Sequence, residues 1–570
     1  MRQLTRRNVF PLALVLLALA VHGPLLLSGL PGATYDGNTH MFFAAHYARD
    51  WFQPWNEQWY GGFSQTTYPP LAHQWIALLS FAAGIPAAYL LVQLVALLLI
   101  PIGVLRYARL WVEERAARYA AVGSIFLGSL ALLVYQAGQL PMTVAAALLL
   151  NALPFVHQWV REGKKSDLWK GLALLSATAA AHHVTMLFGI PLFAAPVLWQ
   201  AIGGDRRRAL RALTVVLVAA AGMALVVLPF LLSPQVATSQ APIPHASRAN
   251  YLLGARTGVN FWIIPMGALL LALPFALWRG ARRAALRPLL CGWSLTLLLG
   301  LGGTTMVAPV LLGDLPRALT GVDLFQVLTF ERFTFWATLM MLPIVGSLVL
   351  DLGERFRWPA LAGAGLAALL TCGVAVGWAA RRVMVNPAFD VQDVVSFLAQ
   401  PEHARYRYLT LGFGNEFPLV ARQVSANAID GDYNSARLLP ELTASGAGSL
   451  DKAKYFAGGL PALRQVLARA NDYGLKYVFV HDRYYEPLLS FSGWHRVDSY
   501  DGGSVTVWEK DGVPPAKPLH LASVPRWQGI AWGTLPLFSS LLALGLIVGL
   551  RERRRDEDVI PVRSEAAAAA

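Results

Sequence analysis

Stretches of about 20 mostly apolar residues recur along nearly the whole chain, from residues 10–30 to residues 530–550. A helix satisfies its own backbone hydrogen bonds and needs about 20 apolar residues to cross the hydrocarbon core of a bilayer. The composition agrees: 56% of the 570 residues are hydrophobic and only 14% are charged, against about 25% in a typical soluble domain. The sequence therefore predicts an all-α polytopic membrane bundle of about twelve transmembrane helices.

Basic clusters give this bundle a direction, because short loops rich in lysine and arginine stay in the cytoplasm. The excess of 47 Lys+Arg over 33 Asp+Glu belongs to this topology and does not predict nucleic-acid binding. The first apolar stretch exceeds the roughly 15 residues of a signal-peptide core, which favours a retained helix. We expect a multi-pass plasma (inner) membrane protein with both termini cytoplasmic. The clusters lie at residues 2–7, 106–118, 161–165, 205–208, 279–283, 355–357 and 551–555.

One long segment interrupts the apolar pattern, and it has ordinary polarity. Strand patterns lie at 405–413, 476–481 and in a hairpin over 494–509, with a helical pattern at 461–472. The chain therefore divides into three parts. These are a transmembrane bundle over 1–380 with a first outer loop at 31–70, a small extracytoplasmic α/β domain over 381–525, and a last transmembrane helix with a basic cytoplasmic tail over 526–570.

The first outer loop begins with an acid, Asp36, directly after the first helix. A carboxylate at the membrane boundary could accept a proton from a hydroxyl group or hold a divalent cation against a phosphate, and His40 follows one helical turn later. Asp36 is equally suited to cap a helix. The loop aromatics Trp59, Tyr60 and Tyr68 could stack on sugar rings or form an interfacial belt.

Further polar residues lie at predicted outer helix ends. His182 and His183 could contact a phosphate or a substrate hydroxyl, or they could hydrogen-bond across packed helices. Arg332 could bind a lipid phosphate, with Glu331 beside it, or the two could form an ion pair; Arg248 has the same alternatives.

Other recognisable sequence motifs do not supply a site. Residues 430–434, Asp-Gly-Asp-Tyr-Asn, lack the pattern of a calcium loop and predict a tight turn. No phosphate-binding glycine loop, nucleophile elbow or zinc-ligand spacing is present in the sequence.

The acid after helix one, the aromatic loop closing on Tyr68-Pro69-Pro70-Leu71, the many spans and the C-terminal outer domain together resemble the GT-C superfamily of membrane glycosyltransferases. Within it the chain is most similar to bacterial membrane proteins labelled as 6-pyruvoyl-tetrahydropterin synthase-related, a label that implies no pterin chemistry. The resemblance implies a polyprenyl-phosphate-linked sugar as donor. It also implies that Asp36 is the first-loop acid, serving as catalytic base or as partner of a divalent cation (Mg or Mn). His40 matches the family pattern more loosely, and Asp50 and Glu57 do not have the spacing of a second acid motif.

The leading hypothesis is a cell-envelope glycosyltransferase with Asp36 and His40 as catalytic residues. Its partners would be the lipid-linked donor, membrane lipid and an extracytoplasmic glycan, lipid or protein acceptor, with no nucleic acid. A transporter or flippase for a lipid-linked or polar substrate would explain the spans equally well, although no internal repeat is evident. A non-catalytic scaffold for envelope assembly is the third hypothesis. The substrate-binding residues predicted with the leading hypothesis are Trp59, Tyr60, Tyr68, His182, His183, Arg248, Glu331 and Arg332.

Overall fold

The computed structural model describes residues 2–233, 240–383, 385, 387–520 and 524–549. Most of these residues are helical, because apolar runs in lipid must satisfy their backbone polar groups within the segment. The basic segment 551–555, on which the predicted cytoplasmic C-terminus rests, lies outside the described residues.

In the described part of the chain, nine helices are long and apolar enough to cross a membrane. A tenth span is a pair, Ala255–Met266 and Leu269–Arg282, bent by 63° at Gly267, where φ is +50°. Two further apolar helices, Leu71–Ala83 and Ala284–Gly300, are shorter than a full span, so the described residues contain nine to ten spans where the sequence predicts about twelve. The chain is thus a multi-pass membrane protein, and the predicted bundle is confirmed. The nine helices are Val9–Leu27, Ile85–Ala108, Glu114–Ala137, Leu140–Glu162, Thr185–Ile202, Arg206–Leu231, Glu331–Phe356, Trp358–Ala380 and Arg526–Gly549.

The helices differ in how deeply they lie in the bundle. In Glu114–Ala137 and Glu331–Phe356, 83% of the most apolar stretch is buried, whereas in Trp358–Ala380 the figure is 11%. The last of these exposes Leu366, Leu369 and other large apolar side chains, which suits contact with lipid. The central position of Glu331–Phe356 holds its first turn firmly among its neighbours.

The first outer loop forms helix Gly37–Asp50 and a two-stranded hairpin of β1 (Trp55–Asn56) and β2 (Phe63–Ser64). Helix Leu71–Ala83 follows, and Gly84, with φ +76°, separates it from the span Ile85–Ala108.

The C-terminal domain is built on a four-stranded sheet, β3 (Arg407–Leu411), β4 (Leu475–Val480), β5 (His495–Tyr500) and β6 (Val505–Glu509), in the order β3-β4-β6-β5. Strands β3 and β4 are parallel, and the other pairs are antiparallel. Each strand overlaps a predicted strand, so the predicted α/β domain is confirmed. The helices around the sheet are Gln392–Leu398, Pro401–Ala404, Glu416–Gln423, Pro440–Thr443, Gly459–Ala468, Ala470–Tyr473 and Glu486–Phe491.

The domain and the first outer loop share one apolar core. The Gln58 side-chain amide donates hydrogen bonds of 2.7 and 2.8 Å to the carbonyls of Ala421 and Val424, and the Asn38 amide donates one of 2.9 Å to the carbonyl of Asn415. Loop and domain therefore lie on the same face of the bundle and form one unit over its end.

Candidate functional site

The π-helical turn Leu133–Ala137 holds Asp36 at the end of the bundle. The backbone N–H groups of Tyr35 and Asp36 donate hydrogen bonds of 3.0 Å to the carbonyls of Gln136 and Ala137. π-helical turns are rare and occur often at functional sites. This one directs its freed carbonyls at the segment that carries the acid.

Gly138 makes this close approach possible. Its φ is +71°, and a Cβ there would lie 2.3 Å from Thr34 Oγ1 and 3.0 Å from the nitrogen of Gly37. Any larger residue would displace the segment and Asp36 with it.

The Asp36 carboxylate does not cap the helix that follows it; it accepts a hydrogen bond from the side-chain amide of Gln139. It keeps accessible surface, and the charged groups that act on it, Asp432, Lys452, Arg332 and Glu331, come from the C-terminal domain and from helix Glu331–Phe356. Burial and, after it, the negative charge of Asp432 raise the pKa of Asp36 to about 7, although Arg332 and Lys452 oppose the rise. A carboxylate with such a pKa is matched to proton transfer near neutral pH.

The outer domain supplies a charged pair beside Asp36. Lys452 Nζ lies 3.2 Å from Asp432 Oδ1, and both side chains are largely buried. The hydroxyl of Thr39 donates a 3.1 Å hydrogen bond to Asp432 Oδ2, and the Lys452 ammonium lies 4.8 Å from the centre of the Tyr35 ring. The pair thus joins the domain to the first outer helix.

Arg332 lies in the first turn of helix Glu331–Phe356, which has no side-chain N-cap. It makes no hydrogen bond or ion pair with another described residue; its Nε is fully buried, and its two terminal nitrogens keep accessible surface. The structure therefore does not contain the alternative Glu331–Arg332 ion pair. The charge of Arg332 acts on five nearby groups, Asp36, Tyr68, His182, His245 and Glu331.

The two adjacent histidines separate. His182 ends helix Lys165–Ala181, its Nδ1 lies 2.8 Å from Thr185 Oγ1, and its Nε2 keeps accessible surface near Arg332. His183 packs instead against the ring of Phe230 at 4.2 Å and lies 6.2 Å from the ring of Trp532. Of the two, only His182 lies near Arg332 with an accessible Nε2.

His40 is one turn after Asp36, but its side chain bonds elsewhere. Its Nδ1 lies 3.1 Å from His73 Nε2, and His73 Nδ1 lies 3.1 Å from the carbonyl of Pro69. The His40 ring is 6.0 Å from that of Tyr68. The carbonyl of Pro69 accepts a hydrogen bond from His73 Nδ1–H, so the neutral His73 ring accepts a hydrogen bond at Nε2 from His40 Nδ1–H. The two histidines thus stabilise the loop.

Arg248 uses two of its side-chain nitrogens for hydrogen bonds within the protein. Its Nε and Nη1 donate to the carbonyls of Leu328 and Ile243 at 2.9 and 2.6 Å. It remains close enough to Glu331 for the two charges to interact. The geometry gives Arg248 a role in holding the outer loops together.

The three predicted aromatics also divide. Trp59 and Tyr60 are completely buried; Trp59 stacks on Phe42 at 3.8 Å, and the Tyr60 hydroxyl donates to the carbonyl of Tyr433 at 3.2 Å. Neither ring has a face open to a sugar. Tyr68, by contrast, is only partly buried, and Asp36 and Arg332 both act on its hydroxyl.

No known protein-family description matches the sequence, and no curated protein matches it. Solved structures do match. Over 89% of this chain, ArnT from Cupriavidus metallidurans, bound to undecaprenyl phosphate, superposes with a TM-score of 0.54 at 12% identity, covering 99% of ArnT. The arabinofuranosyltransferase AftD from Mycobacteria matches 88% of this chain with a TM-score of 0.51 at 13% identity, and this chain spans only 39% of AftD. The apo oligosaccharyltransferase of Archaeoglobus fulgidus matches 89% of this chain and 75% of its own length, with a TM-score of 0.51 at 11% identity.

The predicted GT-C-like fold, a helical membrane bundle with a small C-terminal sheet region, is confirmed. The implied similarity to 6-pyruvoyl-tetrahydropterin synthase-related proteins is not shown by any of these comparisons. At identities below 15%, the likeness to other GT-C folds extends to architecture and not to substrate.

The implied divalent cation can be tested against the residues around Asp36. Among the described residues, no group of three or more His, Cys, Asp or Glu side chains is arranged to hold a metal ion. Asp432, the nearby second carboxylate, is already bonded to Lys452 and Thr39. The described residues around Asp36 therefore offer no site of three protein ligands, whereas Mg²⁺ is often held by one or two carboxylates together with substrate phosphates.

Four residues near Asp36 or Arg332 were not predicted from the sequence as site residues: Gln139, His245, Asp432 and Lys452. Residues 430–434 are an irregular turn, as predicted, but the turn carries Asp432 to the first outer helix. The only signal in the sequence was the pair of acids in this run. His245 lies in a loop without regular periodicity, and no local pattern marks it.

Proposed function

We propose that the protein transfers a sugar from a polyprenyl-phosphate-linked donor to an extracytoplasmic acceptor. The observation that carries the proposal is that Asp36 and the unpaired Arg332 act on each other electrostatically where the bundle meets the C-terminal domain. The GT-C fold supports the proposal, as does the neighbour ArnT, whose structure contains undecaprenyl phosphate. The basic inner loops favour an outward-facing site with cytoplasmic termini.

Asp36 is the proposed general base. Its carboxylate takes the proton of the acceptor hydroxyl while that oxygen forms a bond to the anomeric carbon of the donor sugar. The bond between the anomeric carbon and the phosphate oxygen breaks, and the carrier leaves as polyprenyl phosphate. Negative charge builds on the leaving phosphate, which is where the Arg332 guanidinium would stabilise it.

The outer domain takes part in this proposal by tuning the base. Asp432 raises the pKa of Asp36, and Lys452 lowers it, so the Asp432–Lys452 pair keeps the carboxylate basic without preventing its ionisation at neutral pH. Gln139 donates to one carboxylate oxygen and leaves the other free to accept a proton. Tyr68 is the proposed ring toward the sugar.

The test compares lipid extracts of a deletion strain complemented with wild-type protein, Asp36→Asn or Asp50→Asn. Asp50 is an exposed acid at the end of the same outer helix and serves as the matched control. Loss of a general base should slow transfer by about 10²–10⁴-fold. Polyprenyl-phosphate-linked sugar, measured by mass spectrometry, should therefore accumulate with Asp36→Asn and with the empty vector, but not with Asp50→Asn.

Two results would count against the proposal. Transfer at the wild-type rate in Asp36→Asn membranes would exclude Asp36 as the base. Normal lipid-linked sugar and normal envelope glycans in the deletion strain would favour the transporter or scaffold hypotheses.

A further inference from the structure

The first membrane-spanning helix, Val9–Leu27, carries a buried histidine, His22, that is 1% exposed. Its Nδ1 lies 2.9 Å from the hydroxyl oxygen of Tyr135, and its Nε2 lies 3.1 Å from the carbonyl oxygen of Ile125. A carbonyl oxygen can only accept, so Nε2 carries the proton of the neutral ring, and Nδ1 accepts the hydrogen bond that the Tyr135 hydroxyl donates. Both ring nitrogens therefore bond to one neighbouring span, Glu114–Ala137.

This neighbouring span is irregular at two places, and His22 bonds to both. Its first helical segment ends at Ile125, and the helix resumes at Gly128; the last turn, Leu133–Ala137, is π-helical and contains Tyr135. Carbonyl groups at the end of a helix have no partner within it, and His22 supplies one for Ile125. The ring thus holds both ends of the short helix between the two irregularities against the first helix.

The same two elements meet a second time at Asp36. The backbone N–H groups of Tyr35 and Asp36 donate hydrogen bonds of 3.0 Å to the carbonyls of the two residues that directly follow Tyr135. The first helix and the segment after it are therefore bonded to the π-helical turn at two levels, through His22 inside the bundle and through Tyr35 and Asp36 at its end. The position of the turn relative to the helix decides where the Asp36 carboxylate lies.

Apolar packing alone gives the first helix little hold. In its most apolar stretch 22% is buried, against 83% in Glu114–Ala137. Lipid tails are as apolar as leucine side chains, so hydrophobic contact does not favour one position of a helix, and hydrogen bonds between helices contribute to its placement. A histidine also costs more than a leucine within a membrane-spanning helix. The two bonds from His22 to one neighbour therefore indicate a role in placing the first helix.

We propose that His22 and Tyr135 are positioning residues for sugar transfer, because their hydrogen bond fixes the π-helical turn against the first helix and so sets the place of Asp36. This inference rests on the proposed function, in which Asp36 is the base. Both residues act through the backbone that carries the carboxylate and not by contact with the substrate. A catalytic group displaced by about 1 Å can lose on the order of 10²-fold in rate.

The informative variants remove the hydrogen bond in two ways. His22→Leu removes both ring nitrogens, whereas Tyr135→Phe removes only the hydroxyl and keeps the buried ring. His22→Gln restores one acceptor and one donor. His157→Leu is the matched control, because His157 Nε2 also bonds to a side chain of another helix, at 2.7 Å from Gln200 Oε1, and this bond joins two different spans.

The first measurement is hydrogen exchange of the full-length protein in nanodiscs, followed by mass spectrometry of peptides that contain Tyr35 and Asp36. The amides of these residues are bonded to the π-helical turn, so local opening exposes them to exchange. We expect exchange about three- to tenfold faster in His22→Leu and in Tyr135→Phe than in the wild type, as for the loss of one hydrogen bond between helices. His157→Leu should exchange as the wild type does at these positions.

The second measurement is sugar transfer by the same samples, with the lipid-linked donor extracted from the deletion strain. The kcat per folded protein should fall by about tenfold or more in His22→Leu and in Tyr135→Phe. The KM for the donor should stay within about twofold of the wild-type value, because the change acts on the base and not on donor binding. His22→Gln should recover most of the lost kcat, and His157→Leu should keep the wild-type kcat.

Wild-type exchange at Tyr35 and Asp36 in both disrupted variants would overturn the inference, whatever the transfer assay shows. Faster exchange with a wild-type kcat would reduce His22 and Tyr135 to helix packing and would overturn it too. The same conclusion would follow if His157→Leu lost as much kcat, or if His22→Gln were no better than His22→Leu. The proposed function fails separately, through wild-type transfer by Asp36→Asn, and the exchange measurement does not depend on that result.

Discussion

Asp432→Asn and Lys452→Gln should shift the pH dependence of transfer in opposite directions. Asp36 must be ionised to accept a proton, so the rate falls as pH falls below its pKa. Asp432 raises that pKa and Lys452 lowers it. Removing the charge of Asp432 therefore moves the acidic limb of the profile to lower pH, and removing that of Lys452 moves it to higher pH.

The size of the shift follows from the causes of the raised pKa. The pKa of Asp36 is about 7 in place of 3.8, with burial as the larger cause and Asp432 as the second. A like charge close enough to act on a buried carboxylate raises its pKa by roughly 1 unit. Asp432→Asn should then have its limb at about pH 6. At that pH the ionised fraction of Asp36 rises from about one tenth to about one half, a gain of about fivefold relative to the plateau rate.

The assay is kcat/KM for sugar transfer between about pH 5 and about pH 9, because this parameter reports groups of the free enzyme. Each profile is scaled to its own plateau, which separates a moved limb from a lower maximal rate. Asp482→Asn is the control, since Asp482 is an outer-domain acid bonded to Lys454 and does not act on Asp36.

Opposite shifts cannot arise from general destabilisation of the domain. If the acidic limb of both variants stayed at the wild-type pH, or moved in the same direction, the titrating group would not be Asp36 under the influence of Asp432 and Lys452.

Three further results are expected. Gly138→Ala should lower the free energy of unfolding by at least about 2 kcal/mol more than Gly204→Ala, because both glycines have positive φ but only the first would place a Cβ against neighbouring atoms; chemical denaturation of the two variants measures the difference. Trp59→Ala should destabilise the protein by about 3–5 kcal/mol without a specific rise in the KM for the donor. Tyr455→Ala, which removes an exposed ring, should change stability by less than about 0.5 kcal/mol. A raised KM of Trp59→Ala at normal stability would instead indicate that Trp59 binds the sugar. Since the folded carboxyl of Asp36 keeps its proton up to about pH 7 instead of 3.8, wild-type stability should fall as pH rises through this window, and Asp36→Asn should abolish that part of the dependence; thermal unfolding across the window checks it, and lower stability of the variant at pH 8 would contradict it.

The sequence by itself determined the bundle and the C-terminal domain, and it predicts the direction in which the bundle crosses the membrane. Hydropathy over about 20 residues and the position of lysines and arginines are local properties, and the bilayer responds to them locally. The strands of the domain were predictable for the same reason, since periodicity acts over a few residues. Asp36 could be singled out because its place directly after a span is itself a local feature.

The tertiary structure alone decided which polar residues meet. Thr39 and Asp432 are 393 positions apart, and their hydrogen bond depends on how the domain docks on the first outer loop. The same docking buries Trp59 and separates His182 from its neighbour His183. From the sequence, Asp36 is either the cap of a helix or a catalytic acid–base group. The fold leaves its carboxylate uncapped and surrounds it with groups from three distant segments, because burial and charge act through space and not along the chain.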